Sequence, residues 1–409
     1  MMLSLNGLNK QNKIFLLITL LLVLIFILFG YQAYKIAFEK NWSDLAIYTA
    51  ASKQILTGDN PYLKIVHGNY IYPLTLSYLL VPITFLHPYL IHIIWYLLSI
   101  TAYYYSITIL FELFNTPQKR QLNIGVVITI LFISIIQDDL IHSNINLIIL
   151  FLTVLSARYL LIQKYILSLL FLSLAIALKL SPIVLSMWVA LSIQTKFKSL
   201  YKTINYSLVL MLFVFTLTIA IPYILHGFQV ITWYEYYFDN FILNQLKFAG
   251  TTKYNITLAG GINTMIGNHS SPSFSLKLLC GLLLCIFPFI VAVVKNNIKG
   301  TYTLFMLIIL LTGTNAEQHH FVFIIPSIVL LLSKFHNNKL VLGTMIIPFN
   351  NKNLFIINIL ACIFILMILW GNNVAIIPIE MFGLLSIFIL TFVFLFYEER
   401  SSSSYIEKV

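Results

Sequence analysis

Long apolar runs separated by short polar connections recur from one end of the chain to the other. The candidate membrane segments are 14–36, 71–114, 122–136, 143–162, 164–180, 182–194, 204–225, 274–295, 301–313, 319–333, 353–370 and 375–397. Several are short for a complete span, and Pro182, Pro222, Pro288 and Pro326 mark ends or kinks. The first run, Ile14 to Ala33, is too long for a signal-peptide core and has no small-x-small cleavage site after it. It reads as a retained helix. No period of 20–50 residues is present, which excludes a repeat array. The pattern predicts an all-α polytopic membrane protein, with residues 1–409 forming a single transmembrane domain.

Composition agrees with the pattern. The chain is 60% hydrophobic and 9% charged, against about 25% charged for an ordinary soluble domain. The net charge of +11 would suggest nucleic acid in a soluble protein. Here the basic residues sit between apolar runs, so membrane orientation explains them and no nucleic-acid partner is expected. Cys280, Cys285 and Cys362 all lie inside apolar segments, give no disulfide or zinc pattern, and read as packing residues.

Lysine and arginine set the orientation. Lys10 and Lys13 precede the first helix, and Lys119–Arg120 and Lys196–Lys198–Lys202 occupy two connections. Lys295 and Lys299, then Lys334, Lys339 and Lys352, then Arg400 and Lys408 complete the set. With all of them cytoplasmic, the spans alternate if 71–114 crosses once, with 71–86 re-entrant or interfacial and 88–114 the true span. That gives about 12 crossings with both termini inside. The non-cytoplasmic face then receives the 35–70 loop with its juxtamembrane helix, "QDDLIHSNIN", "KLSP", the 226–273 loop, "TGTNAEQHH" and "WGNN". Polar clusters poor in lysine thus collect on one side, as an extracytoplasmic site assembled from several loops requires.

Within "NWSDLAIYTAASKQILTGDNPYL", Ser43 or Asn41 is placed to cap a helix start and Gly58 to end it, predicting a surface helix over 44–57. Asp44, Tyr48, Ala51 and Ile55 share one face. Asp44 is either a first-turn acid complementing the helix dipole or a functional carboxylate, and spacing alone does not choose. Lys179 in "IALKLSPI" is a lone cation ending an apolar helix. Such a residue costs roughly 2.5–3.5 kcal/mol at a helix centre and either snorkels or binds an anion such as phosphate. Asn144 and Asn146 lie just inside a helix start after Asp138 and Asp139, where capping is the plain alternative. Glu317, Gln318, His319 and His320 stand at a similar depth. Adjacent histidines point to different helix faces and make a poor pair for one metal. No cofactor and no metal are expected, although Asp138 and Asp139 leave a metal open. In "KYNITLAGGINTMIG", Asn255 precedes a Gly260–Gly261 pair that suits a close backbone approach.

In this order the motifs resemble glycosyltransferase family 87, the polyprenyl-phosphate-mannose-dependent mannosyltransferase type within the GT-C superfamily. The Asp-Phe-x-x-Tyr-like opening and Gly-x-x-Pro-Tyr turn stand as "SDLAIYTAASKQILTGDNPY". The Tyr-Pro-Pro-Leu run stands as "IYPLTLSYLLVP", with Leu74 for the second proline. Gly-Gln-x-Asn stands as "SNIN", altered at Ser143 and Asn144. Lys-x-x-Pro is intact at Lys179–Pro182, Asn-Gln-Ser-Leu stands as "NITL" with Ile256 for the glutamine, and the His-His pair is intact at His319–His320. The resemblance covers roughly 40–335.

The resemblance implies a GT-C-type bundle of about 12 transmembrane helices with extracytoplasmic juxtamembrane helices. It also implies an inverting transfer of a sugar, mannose in the family type, from a polyprenyl-monophosphate donor to a glycan or glycolipid on the outer face. Asp44 becomes the catalytic base, and Lys179 with His319 or His320 holds the departing phosphate. Tyr48, Asn60, Tyr62, Tyr72, Asn144, Asn146, Asn255 and Glu317 line the substrates. Membrane lipid supplies the prenyl site, and no Gly-rich phosphate loop is present. Two other readings stay open, a lipid-linked-oligosaccharide flippase and a glycan polymerase or ligase using diphosphate-linked donors. A flippase needs charges along mid-helix, where this chain has few. An Ile, Asn and Lys bias fits an AT-rich genome, and a bacterial cytoplasmic membrane is the expected location, with the site facing outward.

Overall fold

The computed structural model describes residues 10–39, 43–63, 68–243, 274–312, 318–336, 339–342, 345–348 and single residues between 384 and 395. These are almost entirely helical. Helices α1 (Lys10–Glu39), α2 (Asp44–Thr57), α3 (Leu74–Leu80) and α4 (Pro88–Leu113) come first, with a 3₁₀ turn Val81–Phe85 between the last two. Then follow α5 (Gln118–Leu131), α6 (Ile133–Ile141), α7 (Asn146–Leu161), α8 (Tyr165–Leu178), α9 (Leu185–Phe197) and α10 (Leu200–Phe215). A wide π turn, Thr216–Ala220, leads into α11 (Ile221–His226), and α12 (Gln229–Tyr237) follows. The described part continues with α13 (Phe274–Ile290), α14 (Ile298–Thr312), a 3₁₀ helix Gln318–Ile324 and α15 (Ile325–Lys334). A small antiparallel ribbon, Phe335–His336, Lys339–Leu342 and Met345–Pro348, pairs Leu340 with Ile347.

Among the described residues, three helices are long and apolar enough to cross a membrane: Leu20–Phe38 within α1, Pro88–Leu113, and Leu200–His226. The pair α5 and α6, bent by 65°, makes a fourth if it is one span. Leu74–Phe85, Asn146–Leu161, Tyr165–Leu178, Leu279–Lys295, Ile298–Thr312 and His320–Ser333 are apolar but shorter. A 16-residue helix such as α7 rises about 24 Å, against roughly 30 Å of hydrocarbon. The segment expected to be re-entrant or interfacial, 71–86, contains α3 and its 3₁₀ turn, and α4 is the adjacent long helix. Part of the expected 226–273 loop is helical, since α12 and a π turn, Phe238–Leu243, occupy its start.

Burial sorts the helices. From Gly300 to Leu311, α14 is buried on every side, as a helix apolar all round requires. Helix α7 packs along α4 and α8. In contrast α1 exposes Leu20, Leu24 and Ile27, and α10 exposes Leu208, Met211 and Leu212, apolar faces suited to lipid.

Helix α2 forms as its caps dictate. The Ser43 hydroxyl accepts from the Ala46 N–H at 3.2 Å, and Asp44 occupies the first turn, where the dipole favours an acid. At the other end Gly58 sits at φ +78°, a left-handed position that costs a residue with a Cβ about 1–2 kcal/mol. Its N–H bonds Ile55 O (3.1 Å) and Asp59 N–H bonds Gln54 O (2.8 Å), a Schellman closure. The face Leu45, Tyr48, Ala51 and Ile55 is fully buried and packs on α3 and its 3₁₀ turn.

A proline sets the next element in place. Pro222 has no N–H, so the carbonyls behind it lose their helical donor. Ile221 N–H reaches back to Thr216 O, which widens the turn. The two stranded carbonyls are taken up by side chains: Leu217 O accepts from the Thr75 hydroxyl at 2.8 Å and Thr218 O from the Tyr234 hydroxyl at 2.6 Å. The Tyr234 oxygen in turn accepts from the Leu74 N–H at 3.3 Å. Residues 74–75 are thereby fixed against the α10–α11 helix. Tyr62, Tyr70, Tyr234 and Tyr237 form a cluster of rings beside them, Tyr62 stacking on Tyr237 at 4.8 Å. Edge and offset ring pairs are worth about 0.5–1.5 kcal/mol each beyond their buried area.

Candidate active site

The Ser143–Asn146 turn is the centre of the polar cluster. Ser143 takes a left-handed φ of +55°, which reverses the chain between α6 and α7, and Asn144 N–H closes the turn on Asp139 O at 2.8 Å. Trp95 of α4 donates its ring N–H to the Asn144 carbonyl at 3.3 Å. The Asn144 side-chain oxygen accepts from Ile145 N–H at 2.7 Å. That fixes which end of the amide faces outward, and its Nδ2 donates to Asp44 Oδ2. Asp44 N–H also donates to His142 O at 2.9 Å. The first turn of α2 is thus held to this turn by backbone and side chain together.

Asn146, two residues on and fully buried, aims its side-chain oxygen at Lys179. Lys179 Nζ donates to Asn146 Oδ1 at 2.7 Å and lies 2.8 Å from His320 Nε2. Sequence explains why this lysine faces inward. Helix α8 ends at Lys179, whose backbone is extended (φ −153°, ψ 127°), and Pro182 in the next 3₁₀ turn forbids continuation. The Tyr72 ring lies beneath the ammonium, 5.7 Å from ring centre to Nζ, a cation–π distance. Tyr72 meets Tyr48 edge to face at 5.0 Å.

Tyr48 is sealed from solvent, and its hydroxyl makes no hydrogen bond of good geometry. Burial holds its ionisation well above the ordinary tyrosine value, with Tyr72, Asp44 and Asp139 near enough to push it further. The hydroxyl is therefore a neutral donor at any working pH.

The structure brings Asp44, Tyr48, Tyr72, Asn144, Asn146, Lys179 and His320 together. Asn60 and Tyr62 lie outside this hydrogen-bonded set and make local bonds. The Asn60 side chain closes its own turn by accepting from Tyr62 N–H at 3.0 Å, and the Tyr62 hydroxyl, buried among rings, donates to Tyr72 O at 3.1 Å. Both prop Tyr72. Asn255 and Glu317 lie outside the described residues, as does the side chain of His319. Asp138 pairs with His142 at 3.4 Å, and Asp139 is fully buried on α6. A groove of about 330 Å³ runs between Ile219 and α12, lined also by Tyr234, Glu235 and Asp239. None of the clustered polar residues lines it.

Trp95 and Tyr234 were not legible as site supports. Trp95 acts across 49 positions and Tyr234 across 160, and neither stands in a local motif. The one sequence signal is an aromatic with a polar tip inside an apolar helix, a group that usually finds a partner when buried.

The donor set defines what this cluster does chemically. A carboxylate oriented by one amide and an ammonium oriented by the next lie at the two ends of a three-residue bridge. Such a pair is able to take a proton at one end and to stabilise negative charge at the other. The family model for glycosyltransferase family 87 matches residues 70–333. No curated protein matches the chain.

Proposed function

The chain belongs to glycosyltransferase family 87, and from that premise we propose that it moves a sugar from a polyprenyl-monophosphate donor to a glycan or glycolipid hydroxyl. The proposal includes inversion at the anomeric carbon, a hexose that is mannose by family type, and a site on the outer face of a bacterial cytoplasmic membrane. It also includes a GT-C-type arrangement of about 12 crossings. The observation that carries it is the asparagine bridge, which joins Asp44 through Asn144 and Lys179 through Asn146.

In this mechanism the acceptor hydroxyl gives its proton to the Asp44 carboxylate as its oxygen bonds the anomeric carbon. The bond from that carbon to the phosphate oxygen breaks, and its electron pair leaves with the polyprenyl phosphate. Lys179 stabilises the charge that develops on that phosphate, an interaction that strengthens in the transition state. Asn144 orients the base. Tyr72 forms the wall against which a sugar packs, and Tyr48, sealed from solvent, backs that ring edge to face. His319 and Asn255 belong to the proposal through the family motifs alone, and Glu317 through its place in the sequence beside the His-His pair.

The test is transfer of radiolabelled sugar in membranes carrying the protein. Incorporation from polyprenyl-phosphate mannose or another polyprenyl-monophosphate sugar is expected, and none from nucleotide or diphosphate-linked donors. Transfer from diphosphate-linked donors alone would replace this reading with a polymerase or ligase. Movement of lipid-linked glycan without bond exchange would replace it with a flippase.

A further inference from the structure

The contact at the head of Lys179 restricts what His320 can do. The two nitrogens lie 2.8 Å apart, and a single proton occupies the line between them. With Lys179 charged, its ammonium donates only to a ring nitrogen with a lone pair, which requires an unprotonated Nε2 on His320 and the ring proton on Nδ1. A protonated imidazole in this place would set two like charges in contact. Asn146 presents Lys179 with a second acceptor at 2.7 Å, so the ammonium is gripped from two elements, α7 and the 3₁₀ helix Gln318–Ile324.

We propose that His320 is a neutral positioning residue for Lys179, so the pair brings one positive charge to the leaving group. This rests on the reading of Lys179 as the phosphate cation and changes what the histidine contributes. It is an acceptor that aims the lysine and no second cation on the phosphate. Protonating His320 on the acid side expels Lys179 from its place.

Among the described residues, the charged and titratable groups around it are few. The 3₁₀ helix packs on α6, α7, α14 and α15. Helix α6, packed directly on that 3₁₀ helix, brings Asp138 and Asp139, with His142 just beyond. Lys299 and Tyr302 on α14, Arg158 and Tyr159 on α7 and Lys334 on α15 sit toward the opposite ends of their helices. Tyr72 lies under Lys179, and Asp44 is reached through Asn144.

Two experiments test the inference on the full-length protein in detergent or membranes. Histidine-selective ¹⁵N NMR reads the tautomer without turnover, His320 being assigned by the signal that disappears in His320→Gln. A neutral ring protonated at Nδ1, whose Nε2 signal moves in Lys179→Met, is expected at neutral pH. An imidazolium there overturns the proposal. Because this spectrum needs no substrate, it stands even if the transfer reading fails.

The second experiment is kinetic. Glutamine keeps an acceptor oxygen, so His320→Gln should retain kcat/KM within about tenfold. His320→Lys places a second ammonium beside the first and should lose about 100-fold or more. Protonation of His320 and of Asp44 both silence the wild type in acid, so His320→Gln should show a shallower acid limb. Activity retained in His320→Lys and lost in His320→Gln would make His320 a cation and end the proposal.

Discussion

Lys179 ends an apolar helix, and its side chain turns inward to Asn146 and His320. Snorkelling to the membrane surface would have left those acceptors to other groups. Lys179→Met keeps the length and apolar character of the side chain and removes the charge. It should raise the donor KM far more than the acceptor KM, measured by initial rates with each substrate varied in turn. Equal effects on both would make Lys179 a structural anchor. Tyr48 supplies an independent test. Its hydroxyl is buried without a well-formed hydrogen bond, and an unsatisfied buried polar group costs about 1–3 kcal/mol. Tyr48→Phe should therefore leave Tm unchanged or higher, with KM for a sugar substrate near wild type because the ring is sealed from solvent. Since burial keeps the hydroxyl protonated, the pH profile should not move. At this scale the sequence was most informative where a residue violated its surroundings, as Lys179 does at the end of α8. It was least informative for Asn60 and Tyr62, whose motif is equally prominent but whose hydrogen bonds serve the turn and Tyr72.

Helix α2 was legible because both of its ends are written locally, in Ser43 and in Gly58 at φ +78°. Gly58→Ala should cost about 1–2 kcal/mol through the left-handed position alone, seen as a lower Tm. A steric clash adds nothing there, since the added Cβ meets open space. The π turn at Thr216–Ala220 was not legible. Pro222 announces a kink, but which side chains take the carbonyls it strands depends on Thr75 and Tyr234, far away in the chain. Thr75→Val preserves shape and leaves Leu217 O without that donor. It should destabilise by about 1–3 kcal/mol, read from thermal unfolding in detergent. No change would mean that another donor, such as water, reaches the carbonyl. The 226–273 segment was bounded by the apolar runs on either side of it, and the helix at its start, α12, with Val230, Trp233 and Tyr237 buried on one face, was not legible.

At the scale of the molecule, four segments distant in sequence bring one polar cluster together: the start of α2, the Ser143–Asn146 turn, the end of α8, and the 3₁₀ helix before α15. The order of these motifs and their sorting by lysine content could be read along the chain. Their contacts could not, because each depends on how α4, α6, α7 and α8 pack. The proposed orientation places 35–70 and 226–273 on the non-cytoplasmic side. Single cysteines introduced at Asp59 and Gln229 in a background lacking the three native cysteines should react with an impermeant maleimide from outside. Labelling only after the cytoplasmic face is opened would reverse the orientation. The central claim is that Asp44 takes the acceptor proton, and Asp44→Asn tests it at one atom. Ser43 caps the helix and asparagine keeps an oxygen for the Asn144 amide, so only a first-turn dipole interaction of about 0.3–1 kcal/mol is lost, and expression, Tm and donor binding should stay near wild type. Loss of a general base costs about 10²–10⁴ in rate, and sugar transfer from the polyprenyl-monophosphate donor should fall by that much. Transfer within a few-fold of wild type in a folded, donor-binding Asp44→Asn protein would contradict the account.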